Sequence, residues 1–412
     1  MWSAGSRSDA PVDAPREAVT TINVAAHYNA QQIAPLEQCF RRYEQLNPGV
    51  RVRYQQISYQ DFFQTILISR AGRAPIDIYN LYSIWAPQLI ATGALDRPPQ
   101  DIERFVQAAY NRPTIDATTF EQQLYGIPAA VSVYQLIYNK KLLASAGFDA
   151  PPKTWPELVT VAQAVTKTNR QGNILVGGYA FGPTASNVTH VFYSQMYAAG
   201  VAPYSPDLRH TNLRSPTAVA ILTEQADLFR RGVTSNSIAV LDFAADAVGM
   251  GVIANWQKDT LVSAFGDRFS QTVGVAPIPS DGPGGTMIYS FFWGVDSQSR
   301  VKRQAWDLLR WLNTPDGSNM SCTGTLLAGM GDLSGNRVDL AAMSKGADPF
   351  TQQYIDALQS PGATSQPNLW HAEEVDRLLK YYIELAWAGR MTPAAALAMA
   401  DKNIRAILDE QP

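Results

Sequence analysis

Aromatic and polar side chains occur together just after several predicted strands of this 412-residue chain. Rings offer flat apolar faces, while hydroxyl, amide and carboxylate groups offer hydrogen bonds, so such clusters suit the noncovalent binding of a small polar molecule. Open α/β sheets present their ligand-binding loops at the carboxyl ends of their strands. The candidates at these positions are His27, Tyr28, Asn29, Ser83, Trp85, Asn255 and Trp256. Trp85 has an equal alternative, which is packing against the sheet from its own helix.

Two further segments combine rings with chain-breaking or alternating patterns. Phe181 and Asn187 lie in or beside a stretch, 177–183, that contains three glycines and a proline, which predicts a loop. Phe291, Phe292 and Trp293 are consecutive on a predicted strand, where alternate side chains face opposite ways. At least one of the three should therefore face a cleft, and Phe292 and Trp293 are our candidates.

Catalytic and cofactor motifs are mostly absent. The chain has no Walker pattern, no H-E-x-x-H and no G-x-S-x-G, and its four histidines lack the spacing of metal ligands. Gly249, Gly251 and Ala254 fit G-x-G-x-x-A, but no helix is predicted to open at the third position, so we expect no dinucleotide site. A formal charge of −3 gives no electrostatic footprint for nucleic acid. We expect no metal and no cofactor.

The elements that must position these residues alternate between strand and helix. Segments 22–26, 50–54 and 76–79 read as strands, and helices are predicted between them. This succession predicts an α/β fold with a largely parallel sheet covered on both faces. A chain of 412 residues exceeds what one hydrophobic core usually serves, which favours two lobes. No run approaches the roughly 20 apolar residues of a membrane span.

The stretch from Tyr125 to Trp155 carries the most specific pattern. It reads Tyr-Gly-Ile-Pro from Tyr125, Leu-Ile-Tyr-Asn-Lys from Leu136 and Pro-Lys-Thr-Trp from Pro152. By physical rules alone it is a turn, a buried strand and a helix capped by Thr154, as in many α/β proteins. The stretch also resembles the strand that crosses between the lobes of family 1 extracellular solute-binding proteins. These serve carbohydrate importers and include maltose-binding protein.

The resemblance implies a two-lobe fold of the periplasmic-binding-protein type II class, with a hinge and a ligand cleft between the lobes. It divides the chain into a flexible tether at 1–17, a first lobe at 18–131 plus 279–325, and a second lobe at 133–276 plus 330–412. The hinge segments then fall near 131–133, 277–279 and 327–331.

The same resemblance nominates further cleft residues. Ser132 and Tyr134 flank the first crossing, Trp256 stands where many relatives stack a tryptophan on sugar, and Trp370 begins the family's last cleft segment. Asp376 falls where maltose-binding protein has a stacking aromatic, and Ser132 where it has a carboxylate that contacts the ligand. These two departures predict a ligand other than maltose. Other carboxylates that could accept from hydroxyls, although surface or capping roles are commoner for each, are Asp77, Asp242 and Glu373.

The expected protein is a substrate-binding receptor of an ABC transporter and not an enzyme. It would capture a mono- or oligosaccharide, amino sugars included, by hinge closure and deliver it to membrane permease subunits. It would be a monomer on the outer face of the cytoplasmic membrane, lipid-anchored as in actinobacterial lipoproteins, or periplasmic. Two alternatives stay open. One is a secreted carbohydrate-active enzyme with a carboxylate pair. The other is a receptor for a glycerophosphodiester or another polar anion, for which the arginine clusters are Arg41, Arg42, Arg51 and Arg53.

The termini and cysteines add two expectations. Residues 1–16 are rich in Ser, Gly, Asp, Ala and Pro, typical of the tether that follows a lipidated cysteine in this family. We expect that a recombinant start has replaced the export signal and that cysteine. Cys39 and Cys322 could be distant free thiols. The family topology places both in the first lobe, and export would permit a disulfide, so pairing is the favoured alternative.

Overall fold

The computed structural model describes residues 19–72, 76–315 and 320–411, so the predicted tether at 1–17 lies outside the described residues. The strands are β1 (Thr20–Ala26), β2 (Val50–Gln56), β3 (Ile78–Tyr82), β4 (Thr119–Phe120), β5 (Gln123–Leu124), β6 (Ile127–Asn139), β7 (Lys167–Thr168), β8 (Ile174–Ala180), β9 (Val248–Ala254), β10 (Val273–Ala276), β11 (Thr286–Val295), β12 (Leu333–Ser334) and β13 (Ala363–Ser365). The helices of the first half of the chain are α1 (Ala30–Leu46), α2 (Tyr59–Ala71), α3 (Ala86–Ala91), α4 (Gln100–Ala109), α5 (Arg112–Ala117), α6 (Lys140–Ser145), α7 (Trp155–Val165) and α8 (Ala185–Ala198). Those that follow are α9 (Pro216–Arg230), α10 (Lys258–Phe265), α11 (Phe269–Thr272), α12 (Lys302–Leu312), α13 (Cys322–Gly329), α14 (Arg337–Lys345), α15 (Pro349–Gln359), α16 (Ala372–Trp387) and α17 (Pro393–Leu408).

Local sequence explains where the key helices begin. The Asn29 side chain accepts hydrogen bonds from the backbone of Gln31 and Gln32, which starts α1 directly after β1. Thr154 caps α7 as predicted, because its side chain accepts from the backbone of Glu157. These caps fix the turns by which the chain leaves one strand and returns to the sheet. In the part of the chain that is described, no helix is long and apolar enough to cross a bilayer.

A curled sheet runs in the order β2-β1-β3-β11-β6-β9-β8-β7. Strands β2, β1 and β3 are parallel, as are β8 and β9, which agrees with the predicted strand–helix alternation. The middle of the sheet differs from the prediction, because β11 pairs antiparallel with β3 and β6, and β6 pairs antiparallel with β9. Two parallel blocks are therefore joined by two long antiparallel strands.

Strand β6 links the two halves of the molecule. Its residues 127–133 pair with β11, and its residues 134–138 pair with β9. The change of partner falls at residues 133–134, at the end of the predicted first crossing, and nearly every residue of the strand is buried. A buried strand that is paired within the sheet on both sides of the crossing thus connects the halves.

Strand β11 also contacts both halves. Residues 291–295 pair with β3, whereas residues 286–288 pair with β13. Upstream of the strand, the Ser280 backbone N–H donates to the Lys153 carbonyl and the Gly284 N–H donates to the Ala198 carbonyl. The segment directly after the predicted crossing at 277–279 therefore packs on the half that was assigned to the second lobe, because the change of partners occurs within β11.

Cys39 of α1 and Cys322 of α13 are joined in the structure by a disulfide with an S–S distance of 2.09 Å. The helices that carry them, α1 and α13, pack against each other. The bond closes a sequence separation of 283 residues within the half that contains β1, β2 and β3. It ties the late segment of the chain to the first helix.

The prediction of a loop over 177–183 is wrong for residues 177–180, which form the end of β8. Gly177 and Gly178 are strand residues there, and Tyr179 is fully buried. The glycines are required by packing, since a Cβ on Gly178 would lie 2.0 Å from the Ala162 carbonyl oxygen of α7. The helix can approach the sheet only because the side chain is missing.

Replacing Gly178 by alanine is expected to lower the free energy of unfolding by about 3 kcal/mol, since a backbone carbonyl and not a flexible side chain must move. Urea unfolding followed by circular dichroism measures it. Gly177→Ala is the matched control, because its Cβ would meet the flexible Ile238 side chain first, at 3.2 Å, and the Tyr179 carbonyl oxygen only at 3.6 Å. Equal destabilisation by the two substitutions would contradict the packing argument.

Candidate functional site

A cavity of about 710 Å³ lies between the two halves of the molecule. One wall comes from residues that follow β1 and β2 and from the last residue of β3, and the other from the start of α8 and the segment after β9. Its floor is formed by β6, β11 and the segment before β12. The lining residues are His27, Tyr28, Gln32, Tyr59, Gln60, Tyr82, Ala130, Ser132, Tyr134, Thr184, Ser186, Asn187, His190, Trp256, Asp259, Tyr289, Phe291, Met330 and Asp332.

Rings dominate the wall of the first half. His27 packs against Tyr28 and Phe291, with ring centroids 4.4 and 4.8 Å apart. Burial lowers the pKa of His27 to about 4, so its imidazole is neutral at pH 7. The hydroxyl of Tyr28 is buried and has no hydrogen-bond partner in the described part of the chain. Its hydrogen-bonding capacity is therefore unused within the described structure.

Strand β11 places two more rings on the floor. Phe291 stacks on Tyr82 with centroids 5.1 Å apart and an interplanar angle of 18°, and Tyr289 meets Tyr82 edge-on at 5.5 Å. Across the cavity, Trp256 projects from the short 3₁₀ turn after β9 and is 45% exposed. An indole exposed inside a cavity can stack on an apolar face of a ligand.

A buried polar network supports these rings from behind. The Tyr134 hydroxyl lies 2.9 Å from His190 Nδ1, and His190 Nε2 lies 2.9 Å from Gln366 Nε2 and 3.3 Å from Asp376 Oδ2. Gln366 Oε1 in turn accepts from the Tyr82 hydroxyl at 2.8 Å. The network connects β3, β6, α8 and α16, so two cavity tyrosines are held by the same set of hydrogen bonds.

Two carboxylates line the cavity near the third predicted hinge segment. Burial, with the negative charge of Asp259 nearby, raises the pKa of Asp332 to about 7. A Cβ added to Gly331 would lie 3.5 Å from Asp259 Oδ1, so the Asp259 side chain lies beside this segment. Of the described residues that line the cavity, none is lysine or arginine. The cavity therefore combines rings, hydroxyls and acids.

Comparison with known proteins identifies the family to which this architecture belongs. Residues 28–319 match the bacterial extracellular solute-binding protein family. The chain belongs to this family. The match spans most of the chain, from α1 to α12, and it includes residues of both walls of the cavity. The two halves are the two lobes of a solute-binding protein.

The individual relatives have low sequence identity, but their alignments cover more than half of the chain. A putative binding protein of Brucella abortus is 24% identical over 311 residues, 71% of each chain. A probable ABC transporter-binding protein of Deinococcus radiodurans is 25% identical over 264 residues, 59% of each chain.

Solved structures show the same fold. The cyclic α-maltosyl-1,6-maltose binding protein of Arthrobacter globiformis superposes with a TM-score of 0.80 at 22% identity, over 95% of this chain and 99% of that one. The sugar-binding protein MalE of Xanthomonas citri gives a TM-score of 0.81 at 20% identity, over 95% and 98%. The solute-binding protein therefore has the two-lobe α/β fold predicted from its sequence.

Six of the predicted site residues line the cavity of the solute-binding protein. They are His27, Tyr28, Ser132, Tyr134, Asn187 and Trp256. Four others lie close to it in supporting roles. Asn29 caps α1, the Asn255 amide oxygen accepts from the Val133 backbone at 2.8 Å, Asp376 contacts His190, and Trp85 hydrogen-bonds Glu373.

The remaining predicted residues are placed elsewhere. Ser83 is buried without a partner for its hydroxyl in the described structure. Phe181 packs in the second-lobe core, with its ring centroid 4.3 Å from that of Trp387. Trp370 packs edge-on against His371 at 4.9 Å and does not contribute to the lining. The other predicted acids are structural: Asp77 accepts from Ser299, and Asp242 accepts from the Ala239 backbone.

The selection of Phe292 and Trp293 is wrong. Their side chains are 0% and 1% exposed in the core, and Phe291 is the residue that faces the cavity. Tyr289 and Phe291, two residues apart on β11, both line the cavity, so strand alternation turns Phe292 to the opposite face. Trp293, further along the strand, packs in the core that contains residues of β1 and α12. The sequence pattern identified the correct segment, but it did not determine which side chain faces the cavity.

Several lining residues were missed although signals existed for some. Tyr59 starts α2 just after β2, so the strand-end rule used for His27 applied equally to it. Met330 and Asp332 lie at or next to the predicted hinge at 327–331. His190 lies on a helix face, and nothing in its spacing distinguished it from a core residue.

The raised pKa of Asp332 gives a testable dependence of stability on pH. The folded protein retains a proton that the unfolded chain releases between its ordinary pKa of 3.8 and about 7. The stabilisation is therefore complete below about pH 4 and is lost as the pH rises to about 7. We expect Asp332→Asn to be more stable than wild type at about pH 8, by about 1 to 3 kcal/mol, and to lose this advantage toward pH 4. Urea midpoints at several pH values measure it.

The difference between variant and wild type is the quantity to follow. His27, whose pKa is lowered to about 4, contributes stability that is lost as pH falls from about 6.5 to 4, which is the opposite slope. Asp267→Asn, at an exposed position, controls for the loss of one negative charge. A stability difference for Asp332→Asn that does not change with pH would contradict the assignment.

Proposed function

We propose that this protein is the sugar receptor of an ABC importer and that its two lobes close over a mono- or oligosaccharide. The observation that carries the proposal is the cavity between the lobes, whose walls combine exposed or partly exposed rings with hydroxyl and amide groups. Sugars present apolar carbon–hydrogen faces and a rim of hydroxyls, which require both kinds of group. The volume of about 710 Å³ lies within the ordinary range of small-molecule sites.

In this proposal, the chemistry of each cavity residue determines how it contacts the ligand. Trp256 stacks on a sugar face from the second lobe. Tyr28 and Ser132 hydrogen-bond hydroxyls from the first lobe and the crossing strand, and Asn187 does so from the start of α8. Because these groups lie on different lobes, all of them reach the ligand only in the closed state. Closure is thus coupled to binding, and the closed form docks on the permease subunits.

The anion-receptor alternative is disfavoured by charge. The clusters Arg41, Arg42, Arg51 and Arg53 lie on α1 and β2 and do not contribute to the described lining. The enzyme alternative is disfavoured by geometry, because Asp259 and Asp332, the two carboxylates of the described lining, are neighbours at one side of the cavity, whereas glycoside hydrolysis needs carboxylates on both sides of the bond. These two neighbouring acids favour a cationic substituent on the ligand, so an amino sugar is the finer candidate.

The proposal extends to location and assembly. The protein acts as a monomer on the outer face of the cytoplasmic membrane or in the periplasm, held at the membrane by a lipid attached upstream of the described residues. A relative that is named as a probable ABC transporter-binding protein supports the link to a transporter. The permease subunits are its protein partners.

A thermal-shift panel of neutral oligosaccharides, amino sugars and glycerophosphodiesters tests the proposal. A bound ligand at about 100 times its Kd adds about 2.7 kcal/mol to folded-state stability, which raises Tm by several degrees. We expect a neutral or amino sugar to produce this shift and to be recovered intact after long incubation. A Tm shift by phosphodiesters alone, with a steep dependence on salt concentration, would show that the ligand is an anion and not a sugar. Released sugar products would show an enzyme.

A further inference from the structure

The two lobes touch directly beside the cavity, away from the crossing strands. Trp85, in the 3₁₀ turn after β3, donates its indole N–H to Glu373 Oε1 at 2.9 Å. One helical turn later, Gln88 Nε2 lies 2.9 Å from His371 Nδ1. Two polar pairs therefore join the start of α3 to the start of α16.

The partners belong to different lobes by their packing. Trp85 and Gln88 follow β3, which pairs with β1 in the first lobe. Glu373 begins α16, which packs on α8, α9 and α17 of the second lobe. Opening of the cleft at this side separates the two sets of residues.

The position of Trp85 is fixed by its neighbours. Its ring is 4% exposed and stacks on Phe62, with centroids 5.8 Å apart and an interplanar angle of 17°. It also lies 5.2 Å from Tyr59, which lines the cavity. Trp85 and Glu373 are themselves absent from the lining. The pair stands directly behind the cavity wall.

We propose that Trp85 and Glu373 form an interlobe clasp that stabilises the closed state and ends the cavity on the side of α16, without touching the ligand. The proposal rests on the receptor function proposed above for its bearing on ligand choice. A ligand must fit the space that the clasp encloses, so an oligosaccharide that extends toward α16 binds only if the clasp breaks. The two residues are positioning residues that limit ligand length.

The clasp acts on affinity through the population of the closed state. Apparent Kd rises in proportion as the binding-competent fraction falls. A hydrogen bond to a carboxylate shifts an equilibrium by about tenfold. Loss of the Trp85 indole N–H should therefore change the closed-to-open ratio by about that factor while the cavity lining stays intact.

The test uses the ligand-free protein with spin labels on introduced cysteines at Gln45 of α1 and Lys402 of α17, both exposed and on different lobes. Double electron–electron resonance gives the distribution of interlobe distances. We expect a substantial closed population in wild type, and a closed-to-open ratio about tenfold lower in Trp85→Phe, which keeps the ring and removes the N–H. Glu373→Ala should match it, and Glu373→Gln, which keeps an acceptor oxygen, should fall between.

Trp306→Phe is the matched control. Trp306 donates its indole N–H to Asp96 Oδ2 at 3.1 Å within the first lobe, so its loss removes the same kind of bond without crossing the cleft. We expect this variant to lower Tm with no change in the distance distribution. A wild type that is entirely open without ligand, or a Trp85→Phe distribution equal to that of wild type, overturns the clasp.

A second measurement uses the sugar that gives the largest shift in the panel. Trp85→Phe should raise the dissociation rate of this sugar about tenfold. The affinity of longer homologues, relative to that of this sugar, should be higher in the variant than in wild type. An unchanged dissociation rate and unchanged length preference overturn the clasp and leave the receptor function standing. If no sugar in the panel binds, the receptor function fails, and the ligand-free distances still decide the clasp.

Discussion

Trp256→Ala is expected to weaken ligand binding about 30-fold while Tm of the ligand-free protein stays within about 1 °C. The ring is 45% exposed, so its removal leaves little core unfilled. In the complex that we propose, the same ring covers an apolar face of the ligand, and loss of one buried aromatic anchor at a binding site costs about 2 kcal/mol. Isothermal titration with the sugar selected by the thermal-shift panel measures the affinity.

Tyr381→Ala provides the control for Trp256→Ala. Tyr381 is an aromatic residue of the same lobe that is 55% exposed, and it lies outside the lining of the interlobe cavity. Its replacement should change affinity by less than about twofold. Equal losses of affinity for the two variants, or no loss of affinity for Trp256→Ala, would contradict the stacking role of Trp256.

Replacement of both Cys39 and Cys322 by serine is expected to lower the free energy of unfolding by about 2 to 5 kcal/mol. The disulfide closes a separation of 283 residues, and a cross-link over a long loop restricts the unfolded chain strongly. Urea unfolding of the wild type with and without reductant, beside the double variant, measures the effect.

Reductant should leave the double variant unchanged, because the chain has two cysteines in all. Sugar affinity should stay within about twofold in the variant, since neither cysteine lines the cavity. Coincident unfolding curves for oxidised and reduced wild type would show that the bond contributes nothing to stability.

The cavity residues that could be predicted from the sequence are mainly those at strand ends. His27 and Tyr28 were found because a parallel sheet presents ligands at one edge, and Trp256 because it follows a strand in the same way. Tyr289 sits in the middle of β11, where no local rule separates a cavity residue from a core residue. Its role depends on the lobe that closes over it, which is a long-range property.

The errors share a physical cause. Phe292 and Trp293 were misplaced because strand alternation does not say which face of β11 lines the cavity, and Gly178 was misread because its close approach to α7 requires glycine inside a strand. Both features arise from the meeting of elements distant in sequence. The lobe boundary near 277–279 stays a prediction, and β11 itself contacts both halves of the sheet.

The direction of β1 has a practical consequence. The strand begins at Thr20 and reaches His27 and Tyr28 only after its seven residues, a rise of about 20 Å. A linker joined ahead of Val19 therefore leaves the sheet at the edge remote from the mouth between the lobes. Immobilised on a sensor chip by that end, the protein keeps its opening toward the flowing analyte, whereas coupling through the residues near Asn187 would obstruct it.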